Sequence, residues 1–327
     1  MEVIVTGGGG YIGAHVVNDL LENNFEVIII DNFSTGNAKF IDKRSTLIKG
    51  SAENSQTLEV AFSSLKSPSN AAVIHCAGLK FAGESVKKPI EFYGANLSTT
   101  LNILKYMNNF NVSNLIFSSS SSVYGNSDKD ILVSESSSLN PLSPYGKSKL
   151  FAENIIEDSK KEFRLNATSL RYFNVIGNGS IVACDTSKWN LLPNIYRAID
   201  SNSPLQIFGG NYLTPDGSCI RDYVDVVSIA RAHRQILEKM QNNLVLPSAI
   251  NLGSESGTSV LEIFKAVKET IDPDFTYNLT QVRTGDPASI IADCSTARKS
   301  FDWTPNLNIE ELIVSGWKAY EREKVLF

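Results

Sequence analysis

The chain has 327 residues, of which 42% are hydrophobic and 20% are charged. This composition is typical of a globular protein, and the length allows one large domain or two closely packed ones. The formal net charge of −5 gives no reason to expect a nucleic acid as a partner. No apolar run approaches the ~18 residues that a membrane span needs, so we expect no membrane segment.

Cysteines and histidines are few and lie far apart in the chain. Four cysteines and three histidines are present, and no Cys-x-x-Cys pair occurs. This spacing predicts neither a metal site nor a disulfide framework. Together with the lack of signal-peptide character after Met1, it favours a reducing, cytoplasmic setting.

The first 31 residues predict a strand, a glycine turn, a helix and a second strand. Residues 3–5 and 27–30 are β-branched apolar runs of strand length, and residues 14–22 have helical periodicity. This order is that of a dinucleotide-binding unit, in which an acid about 20 residues beyond the glycines binds the adenosine ribose. Asp31 stands there, which predicts NAD rather than a 2′-phosphorylated cofactor.

Three glycines of the turn have separate predicted roles. Gly7 permits the tight turn, Gly10 lets the backbone approach a pyrophosphate, and Gly13 lets the helix pack closely against the strand. The helix start then offers backbone N–H groups and the positive end of its dipole to the phosphates.

Three further apolar strands are predicted at residues 46–48, 71–75 and 115–117. After the second of these, Ala77 and Gly78 let a ligand lie against the backbone, and Lys80 adds a positive charge. His75 ends that strand and could be a base, but a histidine on an apolar strand is more often a packed core residue.

A serine run and a later helix carry the predicted chemistry. Residues 118–122 are five serines, and Ser143 with Pro144 predicts a capped helix start. In that helix Tyr145 and Lys149 lie one turn apart on the same face. A phenol with a pKa of about 10 is a poor base at neutral pH. We expect the ammonium and an oxidised nicotinamide to lower the pKa of Tyr145.

The second half of the chain predicts strands at residues 170–174 and 205–209, a strand near 251 with an amphipathic helix from 259, and helices from about 295 and at 309–320. Arg221 and Arg283 supply cations suited to a diphosphate, because a guanidinium binds an oxyanion through two parallel hydrogen bonds.

Taken together, these motifs resemble the extended short-chain dehydrogenase/reductase family, and within it the UDP-hexose 4-epimerases. The resemblance covers residues 3 to about 317. It is carried by the glycine motif with Tyr11-Ile12, by Asp31-Asn32, by residues 77–80, by Tyr145-x-x-x-Lys149, by residues 171–174, 190–193, 205–209 and 221–223, and by residues 283–286.

The resemblance implies a doubly wound parallel sheet of the Rossmann type and a smaller C-terminal α/β substrate domain. We predict an NAD-binding domain over residues 1–175 and a predominantly substrate-binding domain over 176–327, with some segments returning to the first. The implied reaction is epimerisation at C4 of a UDP-hexose, UDP-galactose or UDP-glucose, through a transient 4-keto intermediate. NAD would be a tightly held cofactor, and a homodimer is implied.

The family match also assigns roles to residues. The catalytic residues are Ser120, Tyr145 and Lys149, and Ser119 and Ser121 are the nearest rivals of Ser120. The cofactor-binding residues are Gly7, Gly10, Tyr11, Ile12, Gly13, Asp31, Asn32, Ser51, Ala77, Gly78, Lys80, Asn96, Tyr145, Lys149 and Phe173. The substrate-binding residues are Lys80, Ser120, Tyr145, Asn174, Asn190, Phe208, Arg221, Arg283, Asp286 and Ile290.

Several positions depart from the family pattern. Ser51 replaces an acid that contacts the adenine, and Ala95, Val175 and Asp225 replace Asn, Pro and His. Ile290 stands where side-chain size decides whether an N-acetyl group fits, and its intermediate size favours UDP-glucose and UDP-galactose, with weak activity on N-acetylated UDP-hexoses.

Three alternative functions remain open at this stage. A nucleotide-sugar 4,6-dehydratase would need an Asp-Glu pair where Ser121 and Ser122 stand. A UDP-glucuronate decarboxylase uses the same oxidation. A non-catalytic NAD-binding protein is supported only by the departures from the family pattern.

Overall fold

The structure is a computed structural model that describes residues 1–125, 132–181, 183–281 and 287–325. Its strands are β1 (Glu2–Thr6), β2 (Glu26–Asp31), β3 (Thr46–Lys49), β4 (Ala71–His75), β5 (Asn114–Ser120), β6 (Leu132–Val133), β7 (Asn166–Tyr172), β8 (Asn174–Ile176), β9 (Leu205–Phe208), β10 (Ile220–Asp225), β11 (Ala249–Leu252), β12 (Gly257–Ser259), β13 (Tyr277–Thr280) and β14 (Ser289–Ala292). Its helices are α1 (Tyr11–Glu22), α2 (Ser55–Ser63), α3 (Ala82–Lys87), α4 (Pro89–Asn109), α5 (Pro144–Phe163), α6 (Leu191–Asp200), α7 (Val226–Gln241), α8 (Val260–Thr270), α9 (Ser295–Phe301) and α10 (Ile309–Val325).

A seven-stranded parallel sheet forms the larger part of the molecule. Its strand order is β3-β2-β1-β4-β5-β7-β11, so the chain runs outward in both directions from β1. This is the doubly wound order of a Rossmann-type fold, which confirms the predicted fold class. Ligands bind such sheets at the carboxyl ends of the strands, where the order reverses. In this chain that point lies between β1 and β4.

Both faces of the sheet are covered, which explains the unbroken apolar runs in its strands. Side chains alternate along β1, so Val3 and Val5 join one core and Ile4 joins the other. Helices α1 and α7 pack together, as do α4 and α5. His75 lies in this core, where its Nδ1 atom is 2.8 Å from Oγ1 of Thr6, as predicted for a packed histidine.

The chain changes sheets at Phe173, where we had predicted one strand over residues 170–174. β7 ends at Tyr172, and β8 pairs instead with β10 in a second, mixed sheet of β12, β10, β14 and β6. The Phe173 N–H still donates to the Leu252 carbonyl at 3.2 Å. Val175 lies inside β8, so the residue that replaces a proline takes part in strand pairing.

A third core lies among α6, α8, α10 and the strand pair β9–β13. The late strand β11 pairs with β7, so a segment from the second half of the chain completes the large sheet. The boundary between residues 1–175 and 176–327 stays a prediction. Within the described residues, no helix has both the length and the apolar character to cross a membrane.

Element boundaries differ modestly from those predicted. Helix α1 begins three residues earlier than the predicted 14–22, because the turn after Gly10 is already helical. The closing helix extends beyond residue 320 to Val325. Asp225 caps α7 by accepting hydrogen bonds from the N–H groups of Val227 and Ser228 at 3.1 and 2.9 Å. Its replacement of a family histidine therefore has a local structural role.

Candidate active site

The glycine turn after β1 is too tight for side chains at two positions. Gly7 has φ of +73°, and a Cβ atom there would lie 2.8 Å from the Ala77 nitrogen. A Cβ on Gly13 would lie 2.2 Å from the Gly7 carbonyl oxygen. That oxygen also accepts the N–H of Gly10 at 3.0 Å. The turn thus places α1 directly against β1, as the spacing of glycines predicted.

Asp31 anchors the same turn from β2. Its buried carboxylate accepts the Gly9 N–H at 2.8 Å and the Phe33 N–H at 2.7 Å. Asn32 turns back on its own loop and accepts the N–H of Ser34 at 2.9 Å. Each oxygen of Asp31 accepts one of these two backbone hydrogen bonds, which leaves acceptor capacity toward the cavity that it lines.

A cavity of about 490 Å³ opens at this end of the sheet. It is lined by many of the predicted cofactor-binding residues, namely Gly7, Gly10, Tyr11, Ile12, Gly13, Asp31, Asn32, Ser51, Ala77, Gly78 and Lys80. Among the described residues, no side chain caps the start of α1. An uncapped helix start, a glycine turn and a buried carboxylate in one cavity fit the pyrophosphate and ribose of a dinucleotide.

Asn96 supports the wall of this cavity by hydrogen bonds to the backbone of Leu79. Its side chain accepts the Leu79 N–H at 2.8 Å and donates to the Leu79 carbonyl at 3.1 Å and to Ser148 Oγ at 2.9 Å. Asn96 is buried and fixes the loop that carries Gly78 and Lys80. The structure therefore shows a support for the predicted cofactor loop, and direct contact of Asn96 with a cofactor stays a prediction.

The serines at the end of β5 have different partners. Ser118 Oγ lies 3.0 Å from the Tyr172 hydroxyl, and Ser119 Oγ donates to Glu153 at 2.5 Å. Ser120 interacts with the Tyr145 phenol and also accepts the N–H of Ser122 at 3.2 Å. Because Ser119 is held by a carboxylate, Ser120 is the better placed of the two to serve Tyr145.

Helix α5 positions the predicted catalytic pair. Ser143 caps it by accepting the Gly146 N–H at 3.1 Å, with Pro144 at its first position. Tyr145 is buried, and its backbone N–H donates to Ser85 Oγ at 3.1 Å. Lys149 is buried one turn later, where Nζ donates to the Ser118 carbonyl at 2.8 Å. Both side chains therefore reach the end of β5.

The electrostatics of this pair differ from our expectation. Burial raises the pKa of Tyr145, and the interaction with Ser120 only partly opposes that effect. Burial also lowers the pKa of Lys149 to about 8. The expected lowering by Lys149 is not seen, because its ammonium is directed at the Ser118 carbonyl. Positive charge from an oxidised nicotinamide would act in the direction that favours the phenolate.

A second cavity of about 770 Å³ adjoins the first. The predicted residues that line it are Lys80, Ser120, Tyr145, Phe173, Asn174, Asn190, Phe208 and Arg221. Arg221 Nη1 donates to the carbonyls of Ile220 and Pro287, both at 2.8 Å, which holds the guanidinium group at the wall. Tyr11, Ile12 and Lys80 line both cavities, so the two spaces meet beside the start of α1.

The predicted substrate-binding residue Ile290 does not line the larger cavity. It pairs with Arg221 across strands and packs against the main core. Its proposed effect on substrate size stays a prediction. Arg283 and Asp286 fall outside the described residues.

Sequence reasoning missed two polar features of the site. Asp185 lines both cavities beside Lys80, and Arg171 forms a buried ion pair with Glu153 at 2.6 Å. Neither pairing has a sequence signal, because the partners are far apart in the chain or belong to different elements.

This fold and the Ser120, Tyr145 and Lys149 arrangement define an extended short-chain dehydrogenase/reductase, a class of NAD-dependent enzymes. Residues 3–253 match the model of the NAD dependent epimerase/dehydratase family. The chain belongs to that family.

Individual relatives are similar over nearly the whole length. The chain is 36% identical to UDP-glucose 4-epimerase of Lactobacillus helveticus, over 98% of this chain and 97% of that protein. It is 36% identical to the Schizosaccharomyces pombe UDP-glucose 4-epimerase, over 98% and 94%. A solved Bifidobacterium longum UDP-glucose 4-epimerase, in complex with NAD⁺ and UDP, superposes with a TM-score of 0.90 at 32% identity and covers 100% of both chains.

Proposed function

We propose that this protein catalyses the NAD-dependent epimerisation of UDP-galactose and UDP-glucose at C4, through a transient 4-keto intermediate. The observation that carries the proposal is the contact of Ser120 with Tyr145 in the wall of the larger cavity, which adjoins the smaller one. A dinucleotide in the smaller cavity and a nucleotide sugar in the larger one would meet there. The relatives named above, including one solved with NAD⁺ and UDP, support this assignment.

The roles of the catalytic side chains follow from their surroundings. When bound, NAD would supply the acceptor for the C4 hydride and the donor for its return to the 4-keto sugar. Tyr145 accepts the proton of the 4-hydroxyl group and later gives it back, and Ser120 hydrogen-bonds the same oxygen. Lys149 holds the end of β5 through the Ser118 carbonyl and adds positive charge behind the nicotinamide side.

Other lining residues are suited to hold the nucleotide while the sugar turns over. Phe208 is 40% exposed in the larger cavity, where its ring offers a stacking surface for a base. Arg221 supplies a cation, and Asn174 and Asn190 supply amide groups for phosphate oxygens. Holding the nucleotide by its diphosphate leaves the hexose free to present either face to the hydride donor.

Replacement of Tyr145 tests the proposal. We expect Tyr145→Phe to lower kcat for UDP-galactose about 10²–10⁴-fold, the usual loss when a general acid–base is removed. Tyr106→Phe is a matched control, because it removes a phenol that bonds the Ser55 carbonyl outside the lining of either cavity. Full turnover by Tyr145→Phe would refute this mechanism. Turnover without added NAD would show that the cofactor is retained during purification.

We also propose a homodimer and a cytoplasmic location. Exposed apolar side chains lie on α4 and α5, where Ile90 is 87%, Leu101 51% and Phe151 46% exposed. Helices α4 and α5 contact each other, so these side chains are candidate contacts for a second copy of the chain. The four cysteines are free, which suits a reducing compartment. Light scattering of the protein and of a Leu101→Glu, Phe151→Glu double variant tests the dimer, and cell fractionation tests the location.

A further inference from the structure

The segment from Cys184 to Asn190 forms part of the wall where the two cavities meet. Asp185 and Trp189 line both spaces. The segment is tied to α6, since Arg197 Nη2 donates to the Ser187 carbonyl at 2.6 Å. The segment also contacts the loop before α3, since the centroids of the Trp189 and Phe81 rings lie 6.2 Å apart.

Three donors converge on the Asp185 carboxylate. Nδ2 of Asn190 donates to Oδ2 at 2.6 Å, and the N–H of Ser187 donates to Oδ1 at 3.1 Å. The Lys80 ammonium lies 3.7 Å from Oδ1. The Asp185 side chain is 11% exposed and that of Lys80 is 42% exposed, so solvent reaches the ion pair from the lysine side and the ammonium is able to turn away.

The negative charge of Asp185 is opposite in sign to the other charged side chains described in the lining of the larger cavity. Among the described residues that line it, the cations are Lys80, Lys87 and Arg221, and Asp185 is the only carboxylate. A diphosphate would be attracted by those cations and repelled by Asp185. Carboxylate and phosphate oxygens also accept from the same kinds of donor, and here the carboxylate already holds Lys80 and Asn190.

We propose that Asp185 binds Lys80 and Asn190 in the free protein, and that these two donors bind the substrate diphosphate instead once the substrate is present. The exchange involves no covalent step: Lys80 and Asn190 leave the carboxylate and turn to phosphate oxygens. Asp185 is then a positioning residue that keeps these donors in place while it weakens nucleotide affinity, which favours release. This inference rests on the proposed function, because it requires a nucleoside diphosphate in the larger cavity.

Calorimetric titration of the purified NAD-containing protein with UDP tests the exchange. Asp185→Asn keeps the side-chain volume and an acceptor for the Ser187 N–H, and it removes one negative charge. We expect it to bind UDP several-fold more tightly and to lower KM for UDP-galactose without raising kcat. The matched control is Asp158→Asn, which removes the same charge from the exposed surface of α5. We expect its affinity for UDP to equal that of the wild type.

A second variant shows whether Lys80 mediates the effect. In a Lys80→Met background, Asp185→Asn should gain less in UDP affinity than in the wild type, because the Lys80 donor is gone and only the release of Asn190 and the loss of direct repulsion remain. Unchanged or weaker UDP binding by Asp185→Asn would overturn the exchange, and so would a gain in UDP affinity that is undiminished in the Lys80→Met background. Failure of the proposed function is a separate result: wild-type protein would bind UDP and show no turnover of UDP-galactose.

Discussion

Gly13→Ala should damage the cofactor site through a single added methyl group. The new Cβ would lie 2.2 Å from the Gly7 oxygen and 2.9 Å from the Gly7 carbonyl carbon. Both atoms are backbone, so the turn itself must move, and overpacking of this kind costs about 1–3 kcal/mol. The better helix propensity of alanine returns at most about 1 kcal/mol. We expect a net loss of about 1 kcal/mol, and weaker retention of NAD because the displaced turn is the one that would face its phosphates.

Gly94→Ala provides the matched control. Gly94 is exposed inside α4, and a Cβ there meets nothing within 4 Å. The same substitution should therefore stabilise the protein by about 0.5–1 kcal/mol. Thermal unfolding gives the order of stabilities, and the NAD released by acid from purified protein gives the cofactor content. The steric argument fails if Gly13→Ala unfolds at or above the wild-type temperature and keeps a full complement of NAD.

Two further predictions follow from the hydrogen bonds and burial described above. Ser120→Ala should lower kcat at least tenfold with little loss of stability. Ser119→Ala should mainly lower the unfolding temperature, because it leaves Glu153 short of a donor. An equal loss of kcat in the two variants would contradict this assignment. Burial lowers the pKa of His75 to about 3, so between pH 6.5 and 3 the unfolded chain binds a proton that the folded one does not, and stability falls as the pH falls. The stability difference between wild type and His75→Gln should therefore narrow by about 1 kcal/mol from pH 6 to pH 5 in urea titrations, and a constant difference would show that His75 does not titrate in this way.

The parts of the site that were predictable depend on local order in the sequence. The strand, glycine turn, helix and acid that end at Asp31 occupy consecutive residues, and each has its own periodicity or turn requirement. The pairing of Tyr145 with Lys149 follows from one turn of helix after a Ser-Pro start. The family interpretation built on these motifs is confirmed by the match over residues 3–253.

Features that depend on distant partners could not be predicted from one sequence. The change of sheet at Phe173 is decided by the pairing of β8 with β10, some 50 residues later. The ion pair of Lys80 with Asp185 joins loops that only the fold brings together. The pKa of Tyr145 is raised because its burial outweighs the interaction with Ser120, and burial is a property of the folded chain that one sequence does not give.

The end of β5 shows why a run of similar residues can still specify one active serine. Successive side chains point to opposite faces of a strand, so Ser118 and Ser119 meet different neighbours. Ser119 is fixed by Glu153, which forms a buried ion pair with Arg171 through two nitrogen donors at 3.0 and 2.6 Å. Breaking such a buried pair by removing one partner costs about 3–5 kcal/mol, so the arrangement resists change. Ser120 instead lies in the wall of the larger cavity with Tyr145, where its hydroxyl interacts with the Tyr145 phenol.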